Sequence, residues 1–160
     1  VQCIKKELKD EYSFGGLVDE ARKCADFKSI VDVNDMRFFA PASMIEAVKG
    51  YCREKGEKVP ESVGEIVFCV YNSLAKSYAE TVKEIEKITG KTYSAVNIVG
   101  GGCQNVLLNE LTEKETGKKV VAGPIEATAT GNILAQMISA GTVKDAAEGK
   151  ALIKKSFDIK

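Results

Sequence analysis

The chain has 160 residues, of which 44% are hydrophobic and 29% are charged, so it can bury a core of its own. Lysine plus arginine balances aspartate plus glutamate at 23 each, and this zero net charge argues against a nucleic-acid or anionic-membrane partner. No apolar run approaches the roughly 18 residues of a membrane-spanning helix. We therefore expect neither a nucleic acid nor a membrane among its partners.

The cysteine and histidine counts limit the chemistry further. The chain has no histidine, so no catalytic mechanism here can depend on an imidazole. It has no CxxC pair, and we expect no metal site. An odd cysteine count without a visible secretory signal favours reduced thiols and a cytoplasmic location. Whether two of them, Cys52 and Cys69 on consecutive predicted helices, lie close enough to pair is left open. The five are Cys3, Cys24, Cys52, Cys69 and Cys103.

Residues 1–92 are predicted to be helical. VQCIKKEL is amphipathic, and SFGGLVDEARKC follows with Ser13 as a possible N-cap. IVDVNDMRFFAP breaks the helical period with turn residues, which predicts a loop with room for one short strand. ASMIEAVKGYCREKG restores the period, and Gly56 is a suitable C-terminal stop.

The longest predicted element begins at Pro60 and ends before Gly90. Proline suits the first turn of a helix, and glycine suits its end. A helix of about 28 residues would be about 42 Å long, so it is predicted to be the central spine of the domain. Its apolar residues form one stripe at helical spacing: Val63, Ile66, Val67, Val70, Leu74, Tyr78, Val82 and Ile85.

From residue 93 to residue 160 the pattern changes to α/β. AVNIV predicts a buried strand, QNVLLNELTEKETG a helix, and KVVAG a second strand. PIEATATGNILAQMISAG predicts a helix with Pro124 near its first turn, and VKDAAEGKALIKKSF predicts a last short helix. This alternation favours parallel strands joined by a right-handed crossover.

The candidate site lies where the first strand ends, at Gly100, Gly101 and Gly102. In open α/β sheets ligands bind beyond the carboxyl ends of the strands. A backbone without side chains lets a flat or phosphorylated ligand come close, and the next helix offers free N–H groups. Asn105, in that first turn, could cap the helix or bind the ligand. A tight turn that needs positive φ, with Asn105 as a cap, explains the same residues, so both interpretations stay open.

A second stretch of small residues, AGPIEATATGN, follows the second strand. Glu126 near a helix N-terminus suits the helix dipole. The residues from Ala127 to Gly131 form a small-residue face, which is typical of a helix that packs closely on a neighbour. Because both stretches follow parallel strands, they are predicted to share one crevice.

The segment IVGGGCQNVLLNELTEKETGKKVVAGPIEATATGNILAQ resembles the C-terminal lobe of the FGGY carbohydrate kinases, members of the actin-like ATPase superfamily. GGGCQN, GPIEATATGN, VDVNDMRFFAP and CREKGEKVPESVGEIVFCVYNSLA are more similar to the rhamnulokinases than to glycerol kinase or xylulokinase. The resemblance covers the whole chain. It implies an α/β, actin-like/ribonuclease H-like fold, with a helix-rich half followed by βαβα around a long central helix. Residues 1–160 would be a single C-terminal, nucleotide-binding lobe of a two-lobe sugar kinase.

The resemblance also implies roles for individual residues. In these kinases the glycine turn lies against the adenosine of ATP. Gly100, Gly101 and Gly102 would therefore line the adenine, with Gly101 as the closest contact, and Asn105 would lie in the same pocket. Gln2, on a preceding helix, would approach the nucleotide from the other side.

Two further positions, Glu126 and Gly131, match the next family motif and are expected to support this pocket. ATP and Mg²⁺ are the cofactors that the resemblance implies for the full-length enzyme. The catalytic aspartate, the phosphate loops and most sugar contacts of the family have no match in this chain. We therefore expect no catalytic residue here and no kinase activity from this lobe alone.

The implied reaction converts ATP and L-rhamnulose to ADP and L-rhamnulose 1-phosphate, in L-rhamnose catabolism. The sugar would bind through the other lobe, so L-fuculose or xylulose kinases remain alternatives. A free-standing, non-catalytic actin-like interaction module is a second hypothesis. A thiol-based redox protein built on Cys103, at a helix N-terminus, is a third.

The chain begins at Val1 within a helical pattern, and we expect it to belong to a longer polypeptide. The face towards the other lobe would then be apolar and exposed. Such a face favours self-association of this lobe when it is alone.

Overall fold

The helices and strands of a computed structural model, which describes residues 1–9 and 11–157, follow the predicted order. Two short 3₁₀ turns cover Met36–Phe38 and Gly101–Gln104. The helices and strands are α1 (Gln2–Glu7), α2 (Phe14–Arg22), α3 (Met44–Glu54), α4 (Val63–Thr89), β1 (Ala95–Ile98), α5 (Val106–Thr116), β2 (Lys119–Ala122), α6 (Ala127–Ser139) and α7 (Ala146–Ser156).

Side-chain caps decide where the helices begin. Ser13 accepts a hydrogen bond from the Gly16 N–H at 3.0 Å, which confirms its predicted role at α2. The prediction that α4 begins at Pro60 is wrong, because Ser62 is the cap. The Ser62 hydroxyl accepts from the Glu65 N–H at 3.1 Å, and the Glu65 carboxylate accepts from the Ser62 N–H at 3.3 Å. This reciprocal pair of hydrogen bonds fixes the first turn of α4. Pro60 is buried in the loop that precedes the helix.

The long helix α4 has 27 residues and ends, as predicted, at Gly90, where φ is +66°. Its first half is buried on several sides, since α2, α3 and α5 pack around it. Four consecutive residues, 66–69, are buried, so the predicted single stripe describes this half poorly. Its second half leaves the core, and Ile88 is 84% exposed. The helix is therefore a spine for the helical half and for α5, and its second half lies outside that core.

The core lies between α1, α2, α3, the first half of α4, and α5. The loop before α3 enters this core through Val31, whose N–H donates to the buried Ser73 hydroxyl at 2.9 Å. The short strand allowed for in this loop does not form; a 3₁₀ turn capped by Asp35 takes its place. The buried hydrophobic cluster contains Ile4, Leu17, Ala21, Phe27, Val31, Val48, Cys52, Ile66, Val67, Phe68, Cys69, Tyr71, Ala75, Leu107 and Leu111.

The two strands form a parallel pair, as predicted, in a register that runs from Ala95 opposite Lys119 to Ile98 opposite Ala122. α5 connects them and packs on both β2 and α4. The fold is thus a helix-rich α/β arrangement with a small parallel sheet. No helix in residues 1–9 or 11–157 combines the length and the apolar character that a bilayer crossing requires.

The last two helices, α6 and α7, pack on each other. Pro124 lies near the first turn of α6 as predicted, but outside the helix, which begins at Ala127 after the N-cap residue Glu126. Close packing of the small residues of α6, which was also predicted, is not seen. Within the described residues, α6 has no buried residue, and a Cβ added at Gly131 would meet nothing within 4 Å.

Candidate functional site

The loops that follow the two strands are hydrogen-bonded to each other. The Gly100 N–H donates to the Pro124 carbonyl at 3.1 Å, and the Gly123 N–H donates to the Ile98 carbonyl at 2.8 Å. These bonds extend the pairing of the strands beyond their carboxyl ends. The two stretches of small residues are therefore adjacent, and the crevice predicted between them stays a prediction.

The three consecutive glycines have different structural roles. Gly100 has a φ of +77°, a conformation that favours glycine, and it makes the bond to Pro124. Gly101 and Gly102 do not have positive φ, both are exposed, and a Cβ at either would meet nothing within 4 Å. The tight-turn interpretation thus explains Gly100 alone. Nothing in the described chain requires glycine at the other two positions.

Asn105 caps the helix that follows. Its Oδ1 accepts from the Leu108 N–H at 3.1 Å, so the predicted capping role is confirmed. Its side chain also lies beside the hydroxyl of Tyr71 on α4. Burial raises the pKa of Tyr71, and the interaction with Asn105 partly offsets that effect. Asn105 therefore fixes the start of α5 relative to α4, and no pattern in the sequence indicated Tyr71 as its neighbour.

The thiol of Cys103 is poorly placed for redox chemistry. The residue is only 8% exposed, and its carbonyl accepts from the Asn109 side-chain amide at 2.8 Å. All five cysteines of the chain are free. Burial leaves little access for a thiol partner, so the redox hypothesis gains no support here.

The structure gives the other residues predicted for the site no role at the glycine turn. Gln2 is exposed on α1, which packs against α3, so these contacts do not bring it to the glycine turn. Glu126 precedes α6, and its carbonyl accepts from the Thr130 N–H at 2.9 Å. Its side chain is exposed and makes no capping bond. The roles of Gln2, Glu126 and Gly131 at the site stay predictions.

The electrostatic character of this region comes from helix ends. The N-termini of α5 and α6 each follow one of the two hydrogen-bonded loops. Unpaired N–H groups and the helix dipole make such ends favourable for an anion. The described residues contain no group of three or more side chains that could hold a metal ion. The geometry is compatible with a ligand whose flat part lies against the backbone of the glycine turn and whose negative charge lies near the two helix N-termini.

Comparison with known proteins shows that the chain matches a protein family over most of its length. Residues 5–140 match the model of the FGGY family of carbohydrate kinases, C-terminal domain. The chain belongs to this family. The resemblance inferred from the glycine motif and the stretch after β2 is thereby confirmed.

Individual FGGY relatives extend the match over the whole chain. It is 46% identical over 160 residues to the rhamnulokinase of Bacillus subtilis (strain 168), covering 100% of this chain and 33% of that protein. It is 47% identical over 159 residues to the rhamnulokinase of Ligilactobacillus salivarius (strain UCC118), covering 99% and 33%. A rhamnulokinase of Bacteroides thetaiotaomicron is 38% identical over 148 residues. The chain therefore spans about a third of the length of the curated relatives it matches.

Proposed function

We propose that the chain is the C-terminal, ATP-binding lobe of a rhamnulokinase. The full-length enzyme would transfer the γ-phosphoryl group of ATP to L-rhamnulose, giving ADP and L-rhamnulose 1-phosphate. The observation that supports this most is the pair of glycines at positions 101 and 102. The fold does not need them, yet they stand at the strand ends of a carbohydrate kinase domain.

In this proposal the glycine turn binds the adenosine. The backbone of Gly101 and Gly102 offers a flat surface that any side chain would obstruct. Gly100 holds the turn against the loop after β2, and Asn105 fixes the start of α5 behind it. Gln2 would contact the nucleotide from the opposite side. This assignment is consistent with an actin-like/ribonuclease H-like lobe, in which the two parallel strands carry the nucleotide at their carboxyl ends.

The chemical step would depend on groups outside this chain. Phosphoryl transfer requires Mg²⁺ on the phosphates and a base for the sugar hydroxyl. In the proposed enzyme Mg²⁺ arrives with the nucleotide, and the base belongs to the other lobe. The residues described here orient the nucleotide and exclude water from one side of it. Alone, this lobe is expected to be inactive and to bind ATP weakly, because half of the cleft is absent.

Five free thiols are consistent with our inference that the enzyme works in the cytoplasm, where cysteines stay reduced. The sugar specificity is inferred from the relatives, since most sugar contacts would come from the other lobe. Two alternatives would replace this proposal. The full-length protein could be an FGGY kinase for L-fuculose or xylulose, or it could be a non-catalytic interaction module.

The test is a panel of ketoses offered to the full-length protein with ATP and Mg²⁺, with ADP formation as the readout. We expect L-rhamnulose to give the highest kcat/KM. A preference for L-fuculose or xylulose would keep the kinase and change the sugar. No ADP formation with any of these sugars would contradict the kinase assignment and favour the interaction module.

A further inference from the structure

The glycine turn, residues 100–104, is held at both ends by hydrogen bonds to other parts of the chain. At its start, the Gly100 N–H donates to the Pro124 carbonyl at 3.1 Å. At its end, the side-chain amide of Asn109 on α5 donates to the Cys103 carbonyl at 2.8 Å. Among the hydrogen bonds of residues 1–9 and 11–157, this is the one that a side chain makes to the backbone of the turn. Asn109 was not singled out by the sequence.

Between these two anchors, the turn has few contacts that keep it in one shape. Gly101 and Gly102 have no side chains, and both are exposed. The Cys103 N–H donates to the Gly100 carbonyl at 3.1 Å, which closes a single turn of backbone. Glycine loses more backbone freedom on ordering than any other residue. The shape of this turn therefore depends on its anchors.

The Asn109 side chain leaves part of its own hydrogen-bonding capacity unused. The Cys103 carbonyl can only accept a hydrogen bond, so the amide nitrogen of Asn109 must face it. Oδ1 of Asn109 is then buried without a hydrogen-bond partner among the described residues. A buried acceptor without a partner lowers the stability of the fold. The stability of α5 is thus a poor explanation for this asparagine, whereas its bond to Cys103 is a good one.

We propose that Asn109 is a positioning residue for the nucleotide. Its amide holds the end of the glycine turn, so that the backbone of Gly101 and Gly102 has its binding shape before ATP arrives. A surface that is ordered in advance loses less entropy on binding, which lowers the KM for ATP. This inference rests on the proposed function and deepens it, because it names a residue that serves the adenosine surface without touching the ligand.

Asn109 and Asn105 have separate tasks, although they lie one helical turn apart. Asn105 accepts from the Leu108 N–H at 3.1 Å, a bond that caps α5 itself. The Asn109 amide instead reaches out of the helix to the preceding turn. Loss of the Asn109 amide is therefore expected to loosen the glycine turn and to leave the start of α5 in place.

Steady-state kinetics of the full-length protein with ATP and its preferred ketose test this role. Asn109→Leu removes the donor and keeps a similar side-chain volume. We expect the KM for ATP to rise about fivefold, with kcat changed less than about twofold, since one hydrogen bond is lost and the chemical groups are untouched. The KM for the ketose should not change. An unchanged KM for ATP, or an equal rise of both KM values, would overturn the proposal.

The control for general loosening of α5 is Thr112→Val. Thr112 is fully buried, and its hydroxyl donates to the Leu108 carbonyl at 2.7 Å, away from the turn. This substitution also removes one hydrogen bond and keeps the shape. We expect an unchanged KM for ATP even where the melting temperature falls. A rise equal to that of Asn109→Leu would overturn the positioning role. Asn109→Ala, which adds no bulk, takes the place of Asn109→Leu if the leucine variant does not fold.

Residue-resolved hydrogen exchange on the same full-length variants follows the turn directly. In Asn109→Leu we expect the Cys103 N–H to exchange at least about tenfold faster than in the unsubstituted protein, while that of Leu111, in the middle of α5, is unchanged. Equal exchange at Cys103 in both proteins would contradict the proposed hold on the turn.

The Gly101→Val variant separates this inference from the proposed function. If it raises the KM for ATP and Asn109→Leu does not, the adenosine surface stands and only the role of Asn109 fails. If neither substitution changes the KM for ATP, the nucleotide binds elsewhere, and the proposed site fails together with this inference.

Discussion

At the residue scale, the three glycines show how much a motif reveals. The sequence indicated that something must approach this backbone closely. It could not separate Gly100 from Gly101 and Gly102, because the φ of Gly100 depends on a hydrogen bond to the distant Pro124 carbonyl. The structure makes that division, and it gives Gly101 and Gly102 no role in the fold of the described residues.

A valine at position 101 should impair nucleotide binding without affecting folding. The added side chain has free space in the described chain, but it would occupy the surface proposed for adenosine. In the full-length kinase we expect Gly101→Val to raise the KM for ATP about tenfold or more, a loss of at least about 1.4 kcal/mol.

The matched control for this valine is Gly50→Val on α3. Gly50 also has nothing within 4 Å of a Cβ, and it lies in the helical half. Equal KM values for ATP in the two variants, with equal thermal stability, would place the nucleotide elsewhere.

The buried thiols of Cys52 and Cys69 give a prediction about pH. Both are free and fully buried, and they contact each other across α3 and α4, which answers whether they lie close. Burial, followed by the proximity of Cys52, raises the pKa of Cys69 to about 12 from the ordinary 9.0. The folded protein therefore keeps a proton that the unfolded chain releases above pH 9.

Stability linked to this proton is complete below pH 9 and is lost as the pH rises to about 12. We expect the difference in unfolding free energy between the protein and its Cys69→Ala variant to shrink over this interval. Chemical denaturation at several pH values measures it. A constant difference from pH 8 to about 12 would show that the pKa of Cys69 is not raised.

At the element scale, the order of helices and strands was predictable, because each amphipathic helix and apolar strand has its own period. The starts of α4 and α6 were not, since prolines at 60 and 124 suggested first turns. The Ser62–Glu65 pair decides one start, and the chain enters α6 only after Glu126. The burial of α4 on several sides depends on three packed helices, which no local pattern encodes.

The contact between α2 and α4 depends on Gly64, a residue that the sequence did not single out. A Cβ added there would lie 2.5 Å from the Glu20 carbonyl oxygen and 2.9 Å from the Cys24 sulfur. We expect Gly64→Ala to lower the free energy of unfolding by about 1–3 kcal/mol through overpacking.

Urea denaturation measures this loss, with Gly50→Ala as the control. That substitution meets nothing within 4 Å in a helix, so it should raise stability by about 0.5–1 kcal/mol. Equal stability of Gly64→Ala and Gly50→Ala would show that α2 and α4 accommodate a methyl group at position 64 without cost, which would contradict the close contact described here.

At the scale of the whole molecule, several large apolar side chains of the described residues are exposed. Ile88 is 84% exposed at the end of α4, Ile133 is 59% exposed on α6, and Phe157 is 50% exposed after α7. Self-association of the lobe through such surfaces stays a prediction. The family was predictable from the motifs, whereas the position of Gln2 relative to the turn depends on packing that the sequence does not reveal.

The most direct test of the nucleotide site is photolabelling of the full-length protein with 8-azido-ATP, followed by peptide mapping. We predict that the label falls on residues 100–105 and that excess ATP prevents it. Labelling that ATP prevents but that maps away from this turn would contradict the proposal that these glycines hold the adenosine.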